Sequence, residues 1–464
     1  MTMELSHYIG AAIVLVIMTL GGLYSGRQIN SSSDFTSGGR RAGSGIVAGT
    51  IIGTLVGGAS TIGTAQLAFT EGFSAWWFTL GNGFGCLILG LFFAKPLYQS
   101  GHVTLPQMIS AEYGRTAAML SAVLTSLGSF LSIISQFLSG IALITALSSL
   151  GPVSATILVL LLMMAYVIFG GVWGTGIVGV LKALLMYLGV GLCGVLAVKL
   201  QGGVSAFRLA LPEAVYFDLF SRGLIVNMGS VVSVVVGVVT GQVYIQAIIA
   251  AKTLKTSRQG AWISMLLIPL IGLAGIYVGM FMRIQAPGMD PVYALPVFVM
   301  SYLPPVLAGA VLATLLVTLV GSGAGMALGI SAMVGQDLFK VYVAPNASDR
   351  KMLFVTRLVI FVVLVLSGVM TIGNLGSGIL GWSFISMGLR GAVAFAPLAM
   401  ALFLPGKVAK GYAYVAMAAG PILVFGGQWL LPSWFNPILI GVGGPVAIML
   451  TGWARGRQNH NEIS

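Results

Sequence analysis

The sequence predicts an all-α polytopic membrane protein, a single transmembrane domain over residues 1–464, and three observations carry that prediction. Charged residues make up 7% of the chain and hydrophobic ones 58%, whereas about a quarter of a soluble protein is charged. So few charges cannot cover a water-exposed surface, so most of the surface must face lipid. Apolar runs long enough for a bilayer, which needs roughly 20 residues per helix, recur from end to end. Basic residues gather in the short loops between the runs, in the manner of topology signals rather than of a nucleic-acid stripe.

On that ruler thirteen segments are predicted: residues 7–27, 45–70, 73–98, 116–149, 152–173, 176–199, 223–251, 261–283, 304–334, 352–373, 377–404, 410–430 and 436–454. Segment one has Glu4 and no Lys or Arg before it, unlike a cleavable signal peptide, and reads as a permanent span. With the N-terminus outside, the inner loops collect Arg27, Arg40, Arg41, Lys95, Arg115, Lys252, Lys255, Arg258, Lys340, Arg350, Lys351, Lys407, Lys410, Arg455 and Arg457; the outer loops hold Lys199, Arg208, Arg222 and Arg283. The positive-inside rule then puts the C-terminus in the cytoplasm and the chain, multi-pass, in the cell membrane. Cys86 and Cys193 lie inside apolar runs and read as packing residues, not as a disulfide or metal pair.

Three segments look irregular. Segment two holds Gly57-Gly58-Ala59-Ser60-Thr61-Ile62-Gly63-Thr64, segment seven Gly237-Val238-Val239-Thr240-Gly241-Gln242-Val243-Tyr244, and segment nine Gly321-Ser322-Gly323-Ala324-Gly325. Such runs either pack helices closely or free backbone carbonyls that protein, water or an ion must satisfy. Segments two and seven are five apart and so enter the membrane from opposite sides. A matched pair of broken helices in inverted halves is the sequence mark of a secondary transporter with its site near the midplane.

At this point the sequence resembles the sodium:solute symporter family, whose members carry proline, pantothenate, sugars and sialic acid. The pieces are Ser32-Ser33-Asp34-Phe35-Thr36-Ser37-Gly38-Gly39-Arg40, Thr104-Leu105-Pro106-Gln107-Met108 with Glu112-Tyr113-Gly114, Gly170-Gly171, Gly241-Gln242-Val243-Tyr244-Ile245-Gln246 with Ala250-Ala251-Lys252, and Gln336-Asp337-Leu338-Phe339-Lys340. Their order and spacing cover most of the chain. The resemblance implies a leucine-transporter-like core: an extra first helix and loop (1–44), a first five-helix repeat (45–199), an outer loop (200–222), a second repeat (223–404), and two C-terminal helices with a tail (405–464).

It further implies a sodium site between segments two and nine, with carbonyls of Ala59, Ile62 and Thr318 and hydroxyls at 321 and 322. Position 322 is Ser322, but position 321 is Gly321, so one oxygen is missing. Many members carry an acid in the sixth segment and a Gln one turn later; those positions match Gly179 and Lys182. Lys182 therefore has two readings. Its ammonium occupies or neighbours the sodium site, replacing the ion permanently or by proton exchange, or its side chain snorkels to the inner interface.

All ten acidic residues and the three histidines fall in loops or at segment ends, which disfavours an intramembrane proton relay and a cationic solute at the midplane. Arg390, centred in segment eleven, is the strongest single residue. Burying it costs at least about 2.5–3.5 kcal/mol even on insertion scales, and it holds either an anionic group of the solute or the carbonyls of a broken helix. Position matches to the family add Gln66, Phe78, Thr79, Gln136, Gln242 and Tyr244 as solute contacts; aromatics such as Trp77 and Tyr244 read as gates or as packing. The expectation is a transporter, not an enzyme or an ATP-driven pump: the chain has no Walker loop and no carboxylate or His constellation inside its segments. A channel, the distant alternative, would need a filter or charged ring. Sodium-coupled symport of a small carboxylate or zwitterion is expected, with proton-coupled or uncoupled transport in which Lys182 replaces the sodium ion as the alternative, and with no obligatory protein partner and no nucleic-acid partner.

Overall fold

A computed structural model describes residues 4–26, 40–170 and 174–461. Residues 32–39 of the first family piece, Gly171, Arg27 and Glu462 lie outside the described residues. Each predicted segment contains helix. Segments one to six are built on Leu5–Gly26, Ser44–Leu55 with Thr64–Glu71, Trp76–Ile88 with Ala94–Gln99, Arg115–Leu147, Pro152–Gly170 and Gly174–Gln201. Segments seven to thirteen are built on Leu224–Val239 with Gln242–Ile249, Leu254–Gln285, Pro305–Ala332, Asp349–Ile372, Ile379–Phe403, Lys410–Leu430 and Ile438–Asn461. Among the described residues, nine helices are long and apolar enough to cross a membrane, or ten if the bent pair of segment seven counts as one. The other apolar stretches, Leu5–Gly21, Ser44–Leu55 and Pro152–Val167 among them, are shorter.

Burial runs opposite to that of a soluble protein. Leu188, Val195, Val369 and Ile422 are well exposed, while Lys182 and Arg390 are 4% and 3% exposed. Apolar side chains on the outside and charges within are what a lipid solvent selects.

Segment two breaks after Leu55. The amide of Gly57 donates to Leu55 O (3.2 Å) instead of to Gly53 O, four residues back, and Gly58 N donates to Gln136 Oε1 (2.9 Å). The hydroxyls of the run satisfy the carbonyls the break frees: Ser60 Oγ donates to Leu55 O (2.7 Å), Thr61 Oγ1 to Gly57 O (3.0 Å) and Thr64 Oγ1 to Ala59 O (3.2 Å). Glycine is required here by proximity: a Cβ on Gly57 would stand 2.9 Å from both Gln136 Oε1 and Ser322 Oγ. Segment seven bends by 46° between Val239 and Gln242, with Thr240 Oγ1 taking Val236 O (2.7 Å).

Segment nine departs from expectation. Pro305–Ala332 runs as unbroken helix through Gly321–Gly325, and the irregular stretch is the π-helical Met333–Val343 beyond it. Gly323 serves packing instead: a Cβ there would meet Met163 and Gln136. Segment eleven lies along segment four, and segment four along segment nine. A two-bond bridge ties the start of segment two to the end of segment seven, Ala42 N to Ala250 O (3.0 Å) and Lys252 N to Ala42 O (2.9 Å).

Candidate functional site

The two broken helices and the helices crossing them create two polar places. The first surrounds Lys182. Turning Gly57 N toward Leu55 O leaves Gly53 O without its helical donor, and Lys182 Nζ takes it. The same ammonium donates to Thr318 O (3.2 Å) and Ser322 Oγ (3.4 Å), and Ser322 Oγ donates onward to Gly53 O (3.5 Å). Lys182 therefore does not snorkel: a buried ammonium satisfied by three oxygens of segments two and nine is held in the interior.

The neighbouring glycines make this approach possible. A Cβ on Gly53 would stand 2.8 Å from Gly179 Cα, and one on Gly179 would strike Gly49 O, so the backbones of segments two and six touch. Gly321 faces the same point, its Cβ position lying 3.3 Å from Tyr166 Oη and 3.4 Å from Lys182 Nζ. Of the four expected sodium ligands, Thr318 O and Ser322 Oγ meet here. The oxygen of segment two that joins them is that of Gly53. Ala59 O accepts instead from Thr64 Oγ1, and Ala59 and Ile62 both sit in the π-helical turn Ala59–Gly63.

The second place surrounds Arg390. Its stem packs on Gly128, where a Cβ would come 2.5 Å from Arg390 Cγ, and Ser386 Oγ locks the same contact by donating to Gly128 O (2.7 Å). Arg390 Nε donates to Ser386 O (3.4 Å), its own helix one turn back. Electrostatically the guanidinium interacts with the Tyr244 hydroxyl. Arg390, Tyr244, Gln242, Val243, Ser129, Met326, Gly329 and Met333 line a cavity whose reachable volume, ≈ 10 Å³, is about that of one water centre. No salt-bridge partner for Arg390 is found among the described residues.

The remaining expected contacts are dispersed. Gln242 lines the cavity but also clamps the loop before the helix Leu105–Tyr113, accepting from Leu105 N (2.8 Å) and donating to Val103 O (3.1 Å). Gln136 serves the break of segment two, and Gln66 Oε1 accepts from Ile379 N (3.0 Å) at the start of segment eleven. Phe78 packs edge-on against Phe384 with centroids 5.4 Å apart, and Thr79 Oγ1 donates to Trp76 O (3.3 Å). Trp77 Nε1 donates to Leu219 O (2.7 Å).

Sequence reasoning missed Gly53, Tyr166 and Ser129. Ser129 was detectable: Ser121, Thr125 and Ser129 recur every fourth residue, one face of a helix, and each of the latter two hydroxyls bonds the carbonyl one turn back.

A model of the family described as "Sodium:solute symporter family" matches residues 35–420. The chain belongs to the sodium:solute symporter family. The high-affinity choline transporter 1 of Torpedo marmorata is 22% identical over 453 residues, covering 89% of this chain and 75% of that protein. A Na+-coupled sialic acid symporter in a substrate-bound outward-open state superposes with a TM-score of 0.81 at 18% identity, covering 98% of each chain. Mhp1 in its inward-facing conformation gives 0.59 at 13%, covering 94% of each. This symporter-family chain thus has the leucine-transporter-like fold, is a multi-pass membrane protein, and shares its family with carriers of small solutes.

Proposed function

We propose that this chain is a secondary active transporter that carries a small organic carboxylate or zwitterion by alternating access. Arg390 carries the reading. A buried guanidinium with no carboxylate beside it holds a fork of donors that matches a carboxylate, and it opens onto the cavity shared with Tyr244 and Gln242. That cavity holds about one water, so the conformer is closed around the guanidinium and a solute enters only when the two repeats, 45–199 and 223–404, rock apart. The choline transporters among its relatives carry a cation; here a fixed positive charge in the interior opposes one. The basic loops support a plasma-membrane orientation with the N-terminus outside.

Family membership supports sodium as the co-transported ion. In this conformer Lys182 Nζ stands on Thr318 O and Ser322 Oγ, so sodium coupling through these oxygens requires the lysine to leave them.

The test compares small organic acids with their neutral amides as stabilisers of the purified protein, since a ligand that binds only the folded state raises Tm by mass action. The acids are expected to stabilise the wild type and not Arg390→Ala or Arg390→Lys, the latter lacking the planar fork. Stabilisation by the amides, or by acids without regard to Arg390, refutes the assignment.

A further inference from the structure

We propose that Lys182 is a resident cation of this transporter: its ammonium permanently fills the place between segments two, six and nine where the family's sodium ion is expected, so that the transport cycle needs no sodium there. The inference rests on the transporter reading but not on which solute is carried.

The first support is the oxygen set. Gly53 O from the broken helix and Thr318 O with Ser322 Oγ from segment nine converge on Lys182 Nζ. These are two carbonyls and a hydroxyl, the hard oxygen donors that a small cation takes. An ammonium with three donors and no acceptor uses one donor on each. The ammonium is therefore fully satisfied by this cluster, and a second cation on the same oxygens would stand against its charge.

The second support is that the surroundings depart from the family pattern at three points, 179, 182 and 321. At 321 a hydroxyl is expected from the family pattern, and the residue is Gly321. Its missing side chain points to Lys182 Nζ and Tyr166 Oη, 3.4 and 3.3 Å from where a Cβ would stand, so the space a hydroxyl side chain would fill is given to the lysine. At 179 the same pattern expects an acid. The residue is Gly179, and its contact with Gly49 O excludes any side chain, carboxylates included. Losing an oxygen, losing an acid and gaining a lysine each weaken a sodium site alone. Together they leave a closed cluster in which charge and hydrogen bonds are supplied from within the chain.

The third support is mechanical. A sodium ion in this place would link the broken helix of segment two to segment nine and would be free to leave. Lys182 makes the same link from segment six, and it cannot depart. The link at this place therefore holds without a sodium ion, whatever ion the rest of the protein carries with the solute.

The experiment uses the full chain in detergent, with Tm recorded against sodium chloride and choline chloride at equal ionic strength, with and without an acid that stabilises the wild type. The expected result has two parts. Wild type shows no saturable sodium-specific rise in Tm, and the acid stabilises it equally in choline. Lys182→Ala, whose three oxygens are released, gains a saturable sodium-specific rise that Ser322→Ala in the same chain removes. Lys182→Met, which keeps the stem and loses the charge, serves if the alanine variant does not accumulate. A saturable sodium-specific rise in the wild type that Ser322→Ala abolishes overturns the proposal, as does acid binding that appears only with sodium. That last result leaves the role of Arg390 standing, whereas the absence of any acid-specific stabilisation overturns the role of Arg390 and leaves the sodium comparison intact.

Discussion

Restoring the hydroxyl at position 321 separates the effect of a missing oxygen from that of a resident charge. A Cβ at Gly321 falls 3.4 Å from Lys182 Nζ and 3.3 Å from Tyr166 Oη, contacts that a side chain meets with small adjustments, so Gly321→Ser is expected to fold. A sodium ion sharing Thr318 O and Ser322 Oγ with the ammonium would stand about 4 Å from it, and two unit charges at that separation repel by about 4 kcal/mol at an effective dielectric of about 20. At 1.4 kcal/mol per decade this weakens sodium binding by about a thousandfold. Gly321→Ser alone is therefore expected to remain indifferent to sodium. Combined with Lys182→Ala, it presents Gly53 O, Thr318 O, Ser322 Oγ and the new hydroxyl to a free cation, and is expected to half-saturate at lower sodium than Lys182→Ala alone. The assay is Tm against sodium with a choline control, supported by direct sodium-22 binding. Sodium binding by Gly321→Ser as tight as that of the double variant would refute the argument, because it would show that the ammonium does not oppose the ion.

Two further predictions concern the frame that holds these places. Gly53→Ala puts a Cβ 2.8 Å from Gly179 Cα, a backbone atom that cannot rotate aside; overpacking of this kind costs about 1–3 kcal/mol, to be seen as a fall in Tm. Gly191→Ala on the same segment six meets nothing within 4 Å and is expected to hold or raise Tm. Gln242→Leu removes the acceptor of Leu105 N and the donor to Val103 O. Leaving such a buried amide unpaired costs about 1–3 kcal/mol, so hydrogen exchange at Leu105 and its neighbours is expected to accelerate while segment eleven is unchanged.

What the sequence makes legible are features with a large local cost. Arg390 and Lys182 announce themselves because a charge inside an apolar segment needs a reason, and both are buried at polar places. The broken helices two and seven are readable because their glycines and hydroxyls cannot sustain a regular helix unaided. The register of a break is another matter. The glycine-rich run points to residues 57–64, yet the carbonyl that Lys182 takes belongs to Gly53, because the amide of Gly57 turns to Leu55 O. The partner that takes this oxygen, Lys182, stands 129 residues away, and no local pattern encodes it. Segment nine shows the converse: its glycine run looks as weak as the other two, but the helix continues through it, with Met163 and Gln136 packed against Gly323 and Tyr166 and Lys182 against Gly321.

The glutamines follow the same logic. Gln66, Gln136 and Gln242 each look like solute ligands by position, and each is bonded to a backbone group of another segment. An amide side chain donates and accepts at once, which makes it the natural repair for a chain whose helices are interrupted inside a membrane, where every freed backbone group must find a partner in protein. A polar residue at a broken helix is thus as much evidence for the break as for a ligand. Charge distinguishes the two cases. Arg390 spends one donor on its own helix and turns its guanidinium toward Tyr244 and the cavity; Lys182 spends its donors on oxygens of two other segments. The first is equipped to meet something that comes and goes, and the second to hold its own segment to two others.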